Sequence, residues 1–379
     1  MIKTILFDVD GVFLSEERCF DASALSVWEL LYSPAYLGLT GERFSPALEE
    51  ADIRRIRKDV FAADDALNFV KNRGINSNWD MVFLSTAHQL LLLFKALAPK
   101  RWEFVSRMLK NPIGHQELQQ IGRVVKETGI SFTPDYNAFV SDFAFSTAEK
   151  QAILTHLNKL AGEWLGVKTD LFSRSSKLWE LGRAVYQEWY LGEAYYEKSE
   201  GQAPRTPGKS GFLENEIALA EHGRIRALLR DLRDNGFTLG IGTGRPRLET
   251  VIPFQTLGFL EYFHPNHIVT ASDVIKAETA FPDQAPLGKP QPYTYIKALF
   301  GRDQSDEAVL ETPLPIDSGN DVLIVGDSVA DYMAAHSMGC RFAATLTGLS
   351  GKAARSKFEK LRADYICDDV LGLRKILLK

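Results

Sequence analysis

The run Lys3-Thr4-Ile5-Leu6-Phe7-Asp8-Val9-Asp10-Gly11-Val12 decides how the rest of the chain is read. A short apolar block closed by a glycine turn predicts a strand buried on both faces, as in a parallel sheet. Asp8 and Asp10 stand two residues apart, so they leave the strand end on the same side. Two carboxylates held together repel unless a cation or a shared proton relieves them. Mg²⁺ suits such a pair, because it takes a few carboxylates, water and a phosphate oxygen. In that setting Asp8 can attack phosphorus while Asp10 handles the proton. An acidic pair before a glycine can also simply cap a turn.

Working outward, the character changes after this strand. From about Asp21 to Lys198 apolar residues recur at helical spacing, as in Val27, Leu30 and Leu31, or Ala66, Phe69 and Val70. The stretches Gln151 to Leu165 and Leu178 to Tyr196 read alike. The most lipid-like stretch, Met81 to Ala98, holds Ser85, Thr86, His88, Gln89 and Lys95. A membrane span there would strand polar groups, so a buried helix is expected. Glu200 to Gly211 is dense in Gly, Pro and Ser and predicts a linker or ordered loop.

Beyond it, helix and strand alternate. Helices are expected at Ala218–Asp234 and Arg247–Leu257, with Pro253 as the point for a kink. Strands are expected at Phe237–Thr243, His267–Thr270, Asp321–Val325, Arg341–Ala344 and Tyr365–Cys367. This order predicts parallel β-α-β units and a doubly wound α/β core. Arg302 to Asn320, polar and Pro-rich, reads as a surface insertion. The core is then split into residues 1–15 and 216–379. Residues 16–215 form an all-helical domain inserted after the first strand, with hinges expected near Leu14–Arg18 and Gly208–Glu214.

Composition sets bounds on function. The 379 residues are 45% hydrophobic and 25% charged, which excludes a disordered chain and suggests two or three domains. A net charge of −5 argues against general nucleic-acid binding. Cys19, Cys340 and Cys367 are too few and too scattered for a disulfide framework or a zinc site, and they fit a reducing cytoplasm. The N-terminal apolar run is too short for a signal-peptide core. No membrane partner is expected.

Three more clusters sit at or after predicted strand ends, where open α/β sheets place ligands. In Gly242-Thr243-Gly244-Arg245-Pro246 a hydroxyl and main-chain N–H groups at a helix start can hold a phosphate oxygen. In Gly288-Lys289-Pro290-Gln291-Pro292 the prolines stiffen the backbone around a lysine that can neutralise phosphate and carboxylate. In Val325-Gly326-Asp327-Ser328-Val329-Ala330-Asp331, Asp327 can complete a metal site begun by Asp8, and Asp331 lies one helical turn on. Asp327 or Ser328 can equally cap the helix.

Together, Asp8-x-Asp10, Thr243, Gly-Lys289-Pro and Gly-Asp327-Ser-x-x-Asp331 resemble the four motifs of the haloacid-dehalogenase-like (HAD) superfamily, closest to its phosphatase and sugar-phosphomutase branch. The resemblance covers the split core; the inserted helical domain is similar in placement to that branch's C1-type cap, though much longer. It implies that Asp8 forms an aspartyl-phosphate, and that Asp10 protonates the leaving oxygen and then activates water. It implies Mg²⁺ held by the carboxylates of Asp8 and Asp327 and the carbonyl of Asp10. Thr243 and the N–H of Gly244 would bind the phosphoryl group, Lys289 would neutralise Asp8 and phosphate, and Asp331 would orient Lys289 or a metal-bound water. Val12 stands where threonine is commoner.

The leading expectation is a cytoplasmic Mg²⁺-dependent phosphatase of a small phosphorylated metabolite, with the helical domain closing over the site. A sugar phosphomutase would use the same aspartyl-phosphate. A non-catalytic scaffold would instead bind a protein partner, or a second copy, through an aromatic-rich helical domain (Trp28, Trp79, Trp102, Trp164, Trp179, Trp189, Tyr190, Tyr195, Tyr196).

Overall fold

Thr4–Phe7 forms strand β1, an interior strand of a six-stranded sheet. The computed structural model describes residues 2–75, 77–149 and 152–378; Gln151 and the two terminal residues of the ranges read from sequence lie outside these. The other strands are β2 (Thr238–Gly242), β3 (Ile268–Val269), β4 (Val322–Gly326), β5 (Arg341–Thr345) and β6 (Tyr365–Cys367). They run in the order β3-β2-β1-β4-β5-β6, with every neighbouring pair parallel. Ile5 sits opposite both Leu239 and Leu323.

Side chains alternate between two cores. Ile5, Phe7, Leu239, Ile241, Leu323 and Val325 enter one, together with Ile225, Leu228, Leu229 and Leu232 of helix His222–Asp234. Leu6, Val322, Ile324 and Phe342 enter the other, with Tyr295 and Ile296 of helix Tyr293–Phe300 and Ala334 and Ala335 of helix Val329–Ser337. A sheet covered on both faces has no wet side, which is why its strands read as unbroken apolar runs. Each large side chain so buried stabilises the fold by about 1.5–3 kcal/mol. The strand order reverses direction at β1, the point where doubly wound sheets open a crevice at the strands' C-terminal ends.

The chain divides into two compact units, Met1–Glu17 with Leu213–Lys379, and Arg18–Phe212. The sheet belongs to the first. Here the helix expected from Ala218 begins only at His222, where the Glu221 side chain accepts from the N–H groups of Gly223 and Arg224. The residues before it pair with the segment after β1 instead. Ser15 N–H donates to Ile217, Leu219 N–H donates to Phe13, and Leu14 bridges Ala218. Tertiary hydrogen bonds have overridden the helix propensity of Ala218-Leu219-Ala220. The 302–320 segment is also more than a surface insertion. It contains helix Asp306–Leu310, whose Val309 is buried in the second core, and Asp306 pairs with the buried Lys297 at 2.6 Å.

The second unit is helical. Met81 to Ala98 falls within helix Asn78–Met108, most of whose apolar stretch is buried inside the protein. Helix Lys177–Glu200 is broken at Gly192, whose φ is +69°. A Cβ there would lie 2.5 Å from the Ser210 carbonyl oxygen, so glycine lets the returning 201–212 loop cross against the helix. That loop is ordered by Lys209. Its ammonium is buried 2.7 Å from both Glu29 and Glu188, and Glu29 also accepts the Thr206 hydroxyl. Trp28, Trp179, Trp189, Tyr190 and Tyr196 are buried, whereas Trp102 is exposed.

Candidate active site

β1 delivers Asp8 directly from its C-terminal end. The Asp8 main-chain N–H still belongs to the sheet, donating to Val325 at 2.9 Å. Its side chain is buried, and Oδ1 takes Val9 N–H at 2.8 Å and Lys289 Nζ at 2.8 Å. Lys289 Nζ is also 2.8 Å from Asp331 Oδ1. One ammonium therefore bridges the carboxylates that follow β1 and β4. Helix Tyr293–Phe300 starts directly after Pro292, so the proline-stiffened 288–292 turn sets the lysine in place.

Asp331 is fully occupied. Oδ1 accepts from Lys289 and, at 2.7 Å, from the buried Tyr295 hydroxyl. Oδ2 accepts from Ser328, from its N–H at 3.2 Å and its hydroxyl at 2.6 Å. Ser328, not Asp327, caps the helix, and Asp331 N–H returns the bond to the Ser328 hydroxyl. Burial works to raise the Asp331 pKa, but Lys289 and its other donors outweigh it and hold the carboxyl below its ordinary range. Burial likewise opposes the Lys289 charge, and Asp331 and Asp8 overcome it, so the ammonium stays protonated. The ring of Tyr295 lies 5.0 Å from Lys289 Nζ. A Cβ on Gly242 would meet that ring at 2.6 Å, so Gly242 makes room for it.

Asp327 differs. Among the described residues its carboxylate takes no hydrogen bond, and its neighbours are Asp8 and Asp331, all three offering a carboxylate oxygen within 4.8 Å of one another. Burial first, then Asp331, Asp8 and Glu16, push its pKa well above the usual carboxylate range. Burial also raises Asp8, to about 7, against the pull of Lys289. Two glycines cradle Asp327. A Cβ on Gly11, whose φ is +70°, would lie 2.2 Å from its Cγ, and one on Gly348 would lie 1.9 Å from its Oδ2. The Gly11 carbonyl is itself pinned by the hydroxyls of Thr345 and Thr347, at 3.0 and 2.6 Å.

Thr243 follows β2, is buried, and its N–H joins the sheet through Val269 at 3.1 Å. At Gly244 an added Cβ would meet no protein atom within 4 Å, so the space there belongs to whatever enters the site. Asp8, Asp10, Thr243, Gly244 and Lys289 line one cavity of about 470 Å³, whose far wall is Ala271, Val274, Ile275 and Glu278 of helix Ala271–Ala280. The half-buried Asp10 does not join the carboxylate group. Its Oδ1 accepts from Arg245, from Nε at 2.8 Å and Nη2 at 2.6 Å. The motif residues Asp8, Asp327, Asp331 and Lys289 thus converge, with Thr243, Gly244 and Asp10 along the same cavity.

Sequence reading missed Arg245, Tyr295 and Gly348. Arg245 carried a faint signal, directly after Thr243-Gly244. The other two are legible only from their three-dimensional neighbours.

A protein-family model described as HAD-hydrolase-like matches residues 286–373. No curated protein matches the chain. Among solved structures, the X-ray structure of a structural-genomics target is 42% identical, with a TM-score of 0.90 over 99% of this chain and 98% of that one. A predicted phosphoglycolate phosphatase from Haemophilus somnus is 16% identical, covers 99% of this chain and 97% of its own, and has a TM-score of 0.39. A HAD-superfamily hydrolase from Geobacter sulfurreducens is 15% identical, covers 99% and 96%, and scores 0.40.

Proposed function

The chain belongs to the haloacid-dehalogenase-like superfamily, and from that premise we propose that it is a Mg²⁺-dependent phosphatase acting on a small phosphorylated metabolite through an aspartyl-phosphate. The observation that carries this reading is the single Lys289 ammonium shared between Asp8 and Asp331, beside a cavity that Asp10, Thr243 and Gly244 also line.

The donors fit the metal. Asp8 and Asp327 offer oxygen ligands with more negative charge than Lys289 offsets, and Asp327 has no hydrogen-bond donor among the described residues. An all-oxygen set is what Mg²⁺ prefers. Asp8, Asp327 and the main-chain carbonyl of Asp10 would hold it, while Asp331 is already saturated. When bound, the ion supplies positive charge against the phosphoryl oxygens.

The protein's own groups do the rest. Lys289 holds the Asp8 carboxylate in place and screens it from the incoming phosphate. Thr243 hydroxyl and Gly244 N–H bind phosphoryl oxygens as Asp8 attacks phosphorus and the ester oxygen departs. Asp10 gives that oxygen its proton, then takes one from the water that cleaves the Asp8 phosphate and regenerates the carboxylate.

Phosphate release from a panel of phosphorylated metabolites and 4-nitrophenyl phosphate tests the reading. Wild type is expected to turn over with Mg²⁺ and stop with EDTA, and Asp8→Asn to release nothing. Silence of the wild type on every ester, or full activity of D8N, would sink it. Sugar-phosphate isomerisation would then be assayed for a mutase.

A further inference from the structure

We infer that Arg245 is the positioning residue for the proton donor Asp10, and that Glu216 and a proline-freed carbonyl fix it for that task; this rests on the phosphatase reading. The Arg245 side chain is buried although it sits beside the cavity. Its guanidinium is held at both ends. Nε and Nη2 converge on one oxygen of Asp10, while Nη1 donates to the wholly buried Glu216 at 2.7 Å and to the Glu249 carbonyl at 3.3 Å. That carbonyl is exposed by sequence. Pro253, four residues on in helix Arg247–Thr256, has no N–H to give it.

This geometry constrains Asp10 in a particular way. Both guanidinium bonds fall on Oδ1, and among the described residues Oδ2 takes none. The carboxylate is therefore anchored by one oxygen, with the other left to act in the cavity it lines. Arginine suits the post because its planar fork can hold three acceptors at once, which a lysine ammonium cannot do in fixed directions. Arg245 also follows Thr243 and Gly244 immediately, and its own N–H donates to the Thr243 hydroxyl oxygen at 3.2 Å. One short turn thus holds the phosphate-binding hydroxyl and aims the proton donor.

The test uses leaving groups. Cleaving 4-nitrophenyl phosphate needs little protonation of the departing oxygen, whereas phenyl phosphate and an alkyl phosphate need much. The kcat/KM of each reports steps up to loss of that oxygen. With the full chain and Mg²⁺, R245M is expected to lose at least about tenfold more on phenyl and alkyl phosphates than on 4-nitrophenyl phosphate, within the ordinary reach of general acid catalysis. R245K should recover part of the difference. In a D10N background, R245M should add no further leaving-group dependence, because the two residues act as one unit. If R245M does not fold, R245M/E216Q, which removes both buried charges, carries the same expectation. Equal loss across the ester series, or additivity with D10N, overturns the inference while leaving the phosphatase reading intact. A wild type inactive on all three esters overturns both.

Discussion

Asp327 and Asp8 carry the excess charge of the site. Burial and neighbouring aspartates raise both carboxyls, Asp8 to about 7 and Asp327 well above the ordinary range. For Asp8 the unperturbed value is 3.8. A folded pKa above the unfolded one means that the folded state binds the extra proton. The stabilising contribution is complete below about pH 4 and is lost as pH rises to about 7. Mg²⁺ held as proposed would need these carboxylates ionised, so it should raise Tm more at pH 8 than at pH 5. Asp327→Asn should raise the metal-free stability at pH 8 by about 0.5–2 kcal/mol, the scale on which strained functional sites yield when relieved. It should also abolish the response to Mg²⁺ and the activity. Calorimetry with and without Mg²⁺ at both pH values checks this; equal Mg²⁺ shifts at the two pH values would contradict it. At this scale the motif residues were legible because acids, a hydroxyl and a lysine follow apolar strands. Arg245 and Tyr295 were not, because an arginine after a turn and a tyrosine in a helix look ordinary until their partners are known.

Turns around the strand ends decide how these side chains are held. Gly348 lies in the turn after β5, yet what it makes room for is Asp327, at the end of β4. Gly348→Ala would drive the Asp327 carboxylate from its place. Only a side-chain end has to give, so the fold should survive. The Mg²⁺ concentration for half-maximal activity should rise by roughly 10–100-fold, as for other changes that disturb the support of a metal ligand. A Mg²⁺ titration of phosphate release measures it, and an unchanged midpoint would contradict the packing argument. Sequence could not show this contact, because it depends on β4 and β5 lying side by side. It also misjudged the start of helix His222–Asp234 for a related reason. Ala218, Leu219 and Ala220 are sound helix formers locally, but Leu219 N–H goes to Phe13 and Ala218 bridges Leu14, some two hundred residues earlier.

Across the whole molecule, the sheet was the most legible part, since each strand is an apolar run between glycines and polar turns. The helical unit yielded its helices but not what orders its closing loop. Lys209 lies in the Pro/Gly-rich stretch that reads as a linker or ordered loop, with nothing to single it out. Its ammonium instead lies between two wholly buried carboxylates, Glu29 and Glu188. Lys209→Met should cost about 3–5 kcal/mol, the penalty for leaving buried charge uncompensated. Urea denaturation reads it directly, and a loss under 1 kcal/mol would contradict this account of the loop.

The pairing of β1 has a consequence for synthesis. Its partners are residues 238–241 and 322–325. On the ribosome β1 is made before the helical unit and has neither partner strand while that unit is translated. At about 5–20 residues per second that wait lasts roughly 10–50 s. Throughout it, the nascent chain carries Ile5, Leu6 and Phe7 without their sheet partners, next to Asp8. Asp8 and Asp10 follow that run directly, and charge beside an unpartnered apolar strand opposes its pairing with other chains.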